Sequence, residues 1–75
     1  MSPALPVVSG QEVVDALQRA SFLSVGQKGS HVKLRDRDGR IVIVPLHREL
    51  ARGTLSSILR QASLSAEELI RLLKN

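Results

Sequence analysis

The chain has 75 residues and a formal net charge of +4, and a single phenylalanine is its only aromatic residue. A chain of this length forms one domain and buries only about 60% of its unfolded surface, so we expect a small aliphatic core. The absence of cysteine excludes disulfides and thiolate metal sites. The sequence contains no run of ~18 apolar residues, so we predict no transmembrane helix. Because the N-terminal residues also lack the pattern of a signal peptide, we expect a cytoplasmic protein.

The positive charge is concentrated in the middle third of the chain. Residues 26–52 contain seven basic residues against three acidic ones, whereas the remainder contains four of each. The seven are Lys28, Lys33, Arg35, Arg37, Arg40, Arg48 and Arg52. A basic patch on a small domain favours binding to nucleic acid, and a solvated basic surface without a ligand is the alternative.

The N-terminal part predicts an extended tail followed by a helix. Residues 1–8 contain two prolines and should be extended. Ser9 and Glu12 have the spacing of a capping box, in which each side chain binds the other residue's free backbone amide. Apolar residues follow at helical spacing, namely Val13, Val14, Leu17 and Ala20.

The middle of the chain predicts an antiparallel meander of three strands. Residues 22–28 form the first strand, in which Leu23 and Val25 should share one face and Ser24 and Gly26 the other. Gly29 and Ser30 make the turn that follows.

Residues 31–35 alternate again, with Val32 and Leu34 towards the core and the polar residues His31, Lys33 and Arg35 on the opposite face. The "DRDG" segment at 36–39 predicts a hairpin loop, and "RIVIVP" predicts a third strand that ends at Pro45. That strand is apolar on both faces. It either presents Val or Ile side chains to a partner or is covered by the last helix.

Two further helices are predicted after a polar loop at 46–52. The segment "GTLSSILRQA" predicts a helix with Thr54 as its N-cap, and this helix start could also bind a phosphate. Ser65 and Glu68 form a second capping box before a short final helix. The α–β–β–β–α order is that of the double-stranded-RNA-binding domain (dsRBD). We therefore predict an α+β, dsRBD-like fold with its helices on one sheet face, as a single domain over residues 9–75.

Most catalytic motifs are absent from the sequence. Two histidines without cysteine do not make a usual zinc site, and no HExxH, Walker or GxGxxG motif occurs. Asp36 and Asp38 flank Arg37 in the predicted hairpin loop, where they are turn formers. We expect neither a metal nor a cofactor.

His31 is the residue with the strongest potential for chemistry. It is predicted on the basic sheet face, after Gly29, which lets a phosphodiester approach closely, and Ser30, which can donate to a phosphate oxygen. An imidazole in this setting could deprotonate a ribose 2′-hydroxyl or protonate the leaving 5′-oxygen. From spacing alone, the alternative is a polar strand residue without a chemical role. His47 lies in a loop beside Arg48 and could cap a helix end, contact RNA or do neither.

The motifs "QKGSHVKLR", "VPLH" and "GTLSSILRQASLSAEEL", in this order, resemble the HicA (YcfA-like) toxin family. The resemblance covers residues 9–73. It implies a dsRBD-fold, metal-independent endoribonuclease (mRNA interferase) in a type II toxin–antitoxin pair, with mRNA as substrate and a HicB-like antitoxin as partner. It also implies that His31 is the catalytic residue, with Gly29 and Ser30 as its matching neighbours.

The charge argument adds phosphate contacts to this site, so that the expected RNA-binding residues are Lys28, Gly29, Ser30, Lys33, Arg35 and Arg48, with His47 as a possible secondary residue. Two positions depart from the family. Ser21 stands where a glycine is frequent and should alter the end of the first helix, and Gly26 stands where many members carry an arginine.

Two other functions remain open. The chain could be a non-catalytic RNA-binding module of dsRBD fold, in which the basic residues matter and His31 does not. It could also be a protein-interaction domain that docks a partner through its third strand and last helix.

Overall fold

The computed structural model describes residues 4–74; residues 1–3 of the predicted tail, and Asn75, lie outside the described residues. The elements in chain order are α1 (Gly10–Arg19), β1 (Leu23–Lys28), β2 (His31–Arg35), β3 (Ile41–Pro45), α2 (Arg52–Ala62) and α3 (Ala66–Leu73). The strands form one antiparallel sheet in the order β1-β2-β3. The predicted dsRBD-like α+β fold is therefore confirmed. Within residues 4–74, no helix has the length and apolarity needed to cross a membrane.

Both predicted capping boxes are present. Ser9 Oγ accepts from the Glu12 amide at 3.1 Å, and the Ser9 amide donates to Glu12 Oε1 at 2.9 Å. Ser65 and Glu68 repeat this arrangement with the same two distances at the start of α3. The hydrogen bonds from the Ser65 backbone and side chain hold the pKa of Glu68 below its ordinary value. Each box satisfies amides that a helix start leaves without partners.

The predicted N-cap of α2 is wrong. The helix begins at Arg52 with Ala51 as N-cap, and no side chain caps it, so Thr54 lies within the first turn. The preceding residue explains the earlier start. Leu50 is buried and its amide donates to the Val8 carbonyl at 2.8 Å, which fixes the chain direction just before the helix. Tertiary packing thus outweighs the local capping preference of threonine.

The helices and one sheet face enclose a core that is aliphatic apart from Phe22. Val32, Leu34, Val42 and Val44 point into it from the sheet and are at most 5% exposed. Helices α1 and α2 pack on β3, and α3 packs on α1, where Arg19 Nη1 donates to the Leu72 carbonyl at 3.0 Å. The last helix therefore does not cover the second face of β3, on which Ile41 and Ile43 remain 38% and 48% exposed.

Strand β1 departs from the predicted alternation. A β-bulge between Ser24 and Gly26 shifts the register, so that Leu23 pairs with Arg35 and Gly26 pairs with Lys33. Because directly paired residues of antiparallel strands share a face, Gly26 lies on the same face as Leu23 and not on the opposite one. Every residue of β1 is exposed. The prediction of a simple alternating strand was wrong at this point.

Ser21 holds the end of α1 in a left-handed conformation. Its φ angle is 73°, its amide donates to the Gln18 carbonyl at 3.1 Å, and the Phe22 amide donates to the Leu17 carbonyl at 3.0 Å. These two bonds form a Schellman motif, the position at which glycine is favoured. The serine therefore alters the cap without abolishing it, as expected, at the cost of a side chain in a conformation that L residues disfavour.

Substitution Ser21→Gly should stabilise the protein by about 0.5–1 kcal/mol, because relief of the left-handed conformation exceeds the entropy that glycine adds to the unfolded chain. Urea unfolding measures the difference. Ser63 is the matched control, since it also has a positive φ, 55°, but its Oγ accepts from Arg40 Nε at 3.1 Å. Ser63→Gly loses that bond and should gain less. A destabilised Ser21→Gly protein would contradict this account.

Substitution Gly10→Ala should destabilise the protein by about 1–3 kcal/mol. A Cβ atom at Gly10 would overlap the Pro45 carbonyl oxygen and lie 2.9 Å from Leu46 Cα, so α1 would have to move away from β3. Gly53→Ala is the control: it adds a methyl group with no atom within 4 Å in a helix, and should stabilise by up to ~1 kcal/mol. Equal effects of the two substitutions in chemical denaturation would refute the close contact.

Candidate functional site on the outer sheet face

The sheet face that the helices leave uncovered, here called the outer face, is organised by the central strand. Burial alternates strictly along β2, with Val32 and Leu34 buried and the other three residues exposed. His31, Lys33 and Arg35 therefore lie together on the outer face, as the sequence predicted. Their cross-strand partners complete it: Lys28, Gly26 and Leu23 on β1, and Ile43 and Ile41 on β3, while Pro45, the partner of His31, is buried.

His31 lies at the end of the sheet where β1 turns into β2. It pairs with Lys28 across the β1–β2 turn and with Pro45 across the β2–β3 ladder. It is exposed, so its imidazole is accessible to a large ligand. The hydrogen bond from the Leu46 amide to the Ser30 carbonyl, 2.6 Å long, extends the ladder one step beyond His31 and fixes the backbone on which it stands.

The turn before His31 is narrow and open. Gly29 has a φ angle of 58°, which suits glycine at the first position of a two-residue hairpin turn. A Cβ atom at Gly29 would have no neighbour within 4 Å, so the space above the turn is free. The Gly29 carbonyl accepts from Gln27 Nε2 at 3.1 Å. The glycine thus serves the turn conformation and also leaves room for an approaching backbone.

The structure brings some of the predicted site residues together and separates others. Lys28, Gly29, Ser30 and His31 share one end of the sheet, and Lys33 is the next residue along the outer face. Arg35 lies at the far end of β2, four residues and roughly 13 Å from His31. Arg48 is exposed in the loop after β3, near the His31 end of the sheet but outside it, and His47 precedes it there. All eight of these residues are exposed.

The outer face also carries aliphatic side chains that the sequence analysis did not assign to a site. Leu23 and Val25 are 70% and 52% exposed, and they line a shallow depression with Arg35 and Arg37. The exposed Ile41 and Ile43 flank the basic strand on its other side. Leu23 and Val25 were predicted to share a face, but the pairing of β1 with β2 is what places Leu23 beside Arg35 on the outer face.

The hairpin loop after β2 holds the ion pairs found within residues 4–74. Arg40 Nη1 lies 2.9 Å from Asp36 Oδ2 and 2.9 Å from Asp38 Oδ2. Partial burial raises the pKa of Asp36, but the hydrogen bonds from the Arg40 side chain and backbone outweigh that effect and leave the pKa below its ordinary value. The two aspartates are therefore turn and ion-pair residues, as predicted, while Lys28, Lys33 and Arg35 have no carboxylate partner in the described part of the chain.

Residues 4–74 contain no group of three or more histidine, cysteine, aspartate or glutamate side chains that could hold a metal ion. The part of the outer face built by β2 and its partners carries the accessible imidazole of His31, the cations Lys28, Lys33 and Arg35, and flanking aliphatic side chains.

Residues 10–64 match the family described as the HicA toxin of bacterial toxin–antitoxin. A chain of the solved structure "Toxin-Antitoxin complex from Streptococcus pneumoniae" has 33% sequence identity to this chain and superimposes with a TM-score of 0.66. The similarity covers 76% of this chain and 98% of that one. No curated protein matches this sequence. Since the family match extends over most of the chain and includes α1, β1, β2, β3 and α2, the chain belongs to the HicA toxin family of bacterial toxin–antitoxin systems.

Proposed function

We propose that this chain is the toxin of a type II pair and acts as a metal-independent endoribonuclease on cytoplasmic mRNA, with His31 as general acid or base. The observation that carries the proposal is the position of His31 on the outer face. An exposed imidazole stands directly opposite Lys28 and next to Lys33, with a narrow open turn beside it. Residues 9–75 form the domain that carries this activity.

The chemistry that this arrangement supports is cleavage through the adjacent 2′-hydroxyl. The 2′-oxygen attacks phosphorus, the bond to the 5′-oxygen breaks, and a 2′,3′-cyclic phosphate and a 5′-hydroxyl result. Free imidazole titrates near pH ~6.5, so a histidine can accept or donate a proton at cellular pH. Acid–base help of this kind contributes roughly 10²–10⁴ in rate. Lys28 and Lys33 stabilise the charge that develops on the phosphorane.

RNA binding is assigned to the cations along β2 and around the turn. Lys28, Lys33 and Arg35 hold phosphates along the outer face, and Arg48 extends the basic surface beyond the His31 end. Gly29 and Ser30 admit the sugar–phosphate backbone at the turn. Contacts of this type read the backbone and the position of the strand more than the base sequence.

Substitution His31→Ala should reduce RNA cleavage at least 10²-fold and change RNA affinity less than threefold, because it removes the proton-transfer group and leaves the cations in place. Cleavage of a labelled RNA in the presence of EDTA and a filter-binding titration give the two measurements.

Lys33→Ala should instead weaken RNA binding and reduce the salt dependence of binding by about one phosphate contact.

Arg60→Ala is the matched control for charge, since Arg60 is an exposed residue of α2 away from the sheet, and it should change neither measurement. RNA binding without cleavage by the wild-type protein at any pH would leave a non-catalytic RNA-binding module. Full cleavage by His31→Ala would remove His31 from the mechanism.

We infer that a HicB-like antitoxin inhibits this toxin by covering the outer face. The face combines cations with aliphatic side chains, of which Leu23, Val25 and Ile43 are about half exposed or more. A protein surface with carboxylates around an apolar centre is complementary to both features, whereas RNA is complementary only to the cations. Such a partner would block access to His31.

Substitution Ile43→Asp should weaken the complex with the antitoxin at least tenfold, because a carboxylate would replace an apolar contact inside the interface. The partner in this experiment is the protein encoded next to the toxin gene. Isothermal titration measures its affinity for the toxin, which carries His31→Ala in every sample so that it is not toxic to the cells that produce it. Gln18→Asp, on the exposed face of α1, is the control and should leave the affinity unchanged. An unchanged affinity for Ile43→Asp would place the antitoxin elsewhere.

A further inference from the structure

We propose that His47 performs the second proton transfer of the cleavage reaction, opposite in direction to the transfer by His31; this inference rests on the proposed ribonuclease function. Cleavage through the 2′-oxygen needs two transfers. The proton of the 2′-hydroxyl goes to one imidazole as the O2′–P bond forms, and the other, protonated imidazole gives its proton to the 5′-oxygen as the P–O5′ bond breaks. The two transfers balance, so no oxidant, metal or other co-reactant is needed.

The strand register brings the two histidines of the chain to the same end of the sheet. Pro45 is the direct partner of His31, and the Leu46 amide continues the ladder by donating to the Ser30 carbonyl. His47 is therefore two residues along from the partner of His31. Diagonal neighbours within a ladder have their Cα atoms roughly 7–8 Å apart, and His47 follows the last ladder hydrogen bond by one residue. A phosphodiester group can lie between two side chains at that separation, with one imidazole near each of the oxygens that exchange protons.

The direction of the neighbouring side chain supports this placement. Leu46 packs against the hydrophobic core, which lies on the inner side of the sheet. β3 ends at Pro45, which is itself buried, and continuing its alternation of side chains past that end places His47 on the opposite, outer side. His47 is also exposed, so its ring is open to a ligand on that side. Both histidines thus reach the outer face from adjacent chain segments.

The backbone of His47 is held in place by α1. The Gly10 amide donates to the His47 carbonyl at 2.9 Å, and the first turn of α1 lies against the backbone of Pro45 and Leu46 so closely that only glycine fits at position 10. A loop residue fixed in this way keeps its position relative to β2. That is the requirement for proton transfer, which depends on hydrogen-bond distances.

Other charged groups around the two rings do not provide the second transfer. The elements that meet here contribute Lys28 from β1, Lys33 from β2, Glu12 from the first turn of α1, and Arg48 and Glu49 from the loop. The Glu12 carboxylate is engaged by the Ser9 amide in the capping box. Histidine is the side chain that changes charge near neutral pH, and the chain has no third one.

The test compares two RNA dinucleotide substrates, one with the natural 5′-oxygen leaving group and one with a 5′-thio leaving group, which departs without a proton. Each is cleaved by the wild-type chain, His31→Ala, His47→Ala and His47→Gln between pH 5 and 9. On the natural substrate, both His47 variants should cleave at least 10²-fold more slowly than the wild-type chain. Their pH profiles should also lack one limb of the bell shape. On the thio substrate, the variant that lacks the general acid should recover the wild-type rate. The variant that lacks the general base should stay slow.

Glu49→Gln serves as the control and should cleave both substrates within twofold of the wild-type rate. Circular dichroism of each variant verifies its folding, and the exposed His47 ring makes no contact that the core depends on. Wild-type rates for both His47 variants, or a slower rate with both limbs of the pH profile retained, would overturn the role of His47 and leave the ribonuclease proposal intact. A wild-type chain that cleaves neither substrate would overturn both.

Discussion

The structure depends on a sheet that has only one face covered. With 75 residues the chain supplies enough apolar side chains for one core, and α1 and α2 place that core against the inner face of the sheet. The outer face must then be compatible with water. On β2 this constraint acts at every second residue: burying Val32 and Leu34 directs His31, Lys33 and Arg35 outward together. The site is thus a direct consequence of the way in which the core is made.

The same constraint does not act equally on the two edge strands. Strand β3 follows the alternation of β2 as far as Val44 and ends at Pro45, which is also buried, and its exposed residues are isoleucines, which water does not favour. Strand β1 contributes nothing to the buried core and is bulged, so its residues face solvent on both sides. Because core packing does not account for aliphatic side chains at Leu23, Val25, Ile41 and Ile43, their presence is explained more simply by a partner surface than by folding.

The features predicted correctly from the sequence are those fixed by local patterns. The two capping boxes, the strand alternation of β2 and the "DRDG" loop all follow from residues within a few positions of one another. The two errors, at Thr54 and at the β1 bulge, both come from distant contacts. Helix α2 begins early because Leu50 is bound to Val8, and the β1 register is set by its pairing with β2. His31 and its cations could be placed on one face from spacing alone, whereas bringing the chain segment of His47 to the His31 end of the sheet required the β2–β3 register.

The distribution of ion pairs makes the outer face more basic than the net charge suggests. Of the three acidic residues in the middle third of the chain, Asp36 and Asp38 are both bound to Arg40, so that one arginine uses two carboxylates in the loop away from His31. The other six basic residues of that third are left with Glu49 as the one remaining acid. Charges without a partner keep their full attraction for a polyanion, whereas a cation already held by two carboxylates loses most of it. The hairpin loop therefore separates the charge that holds the fold together from the charge that is available to bind phosphate.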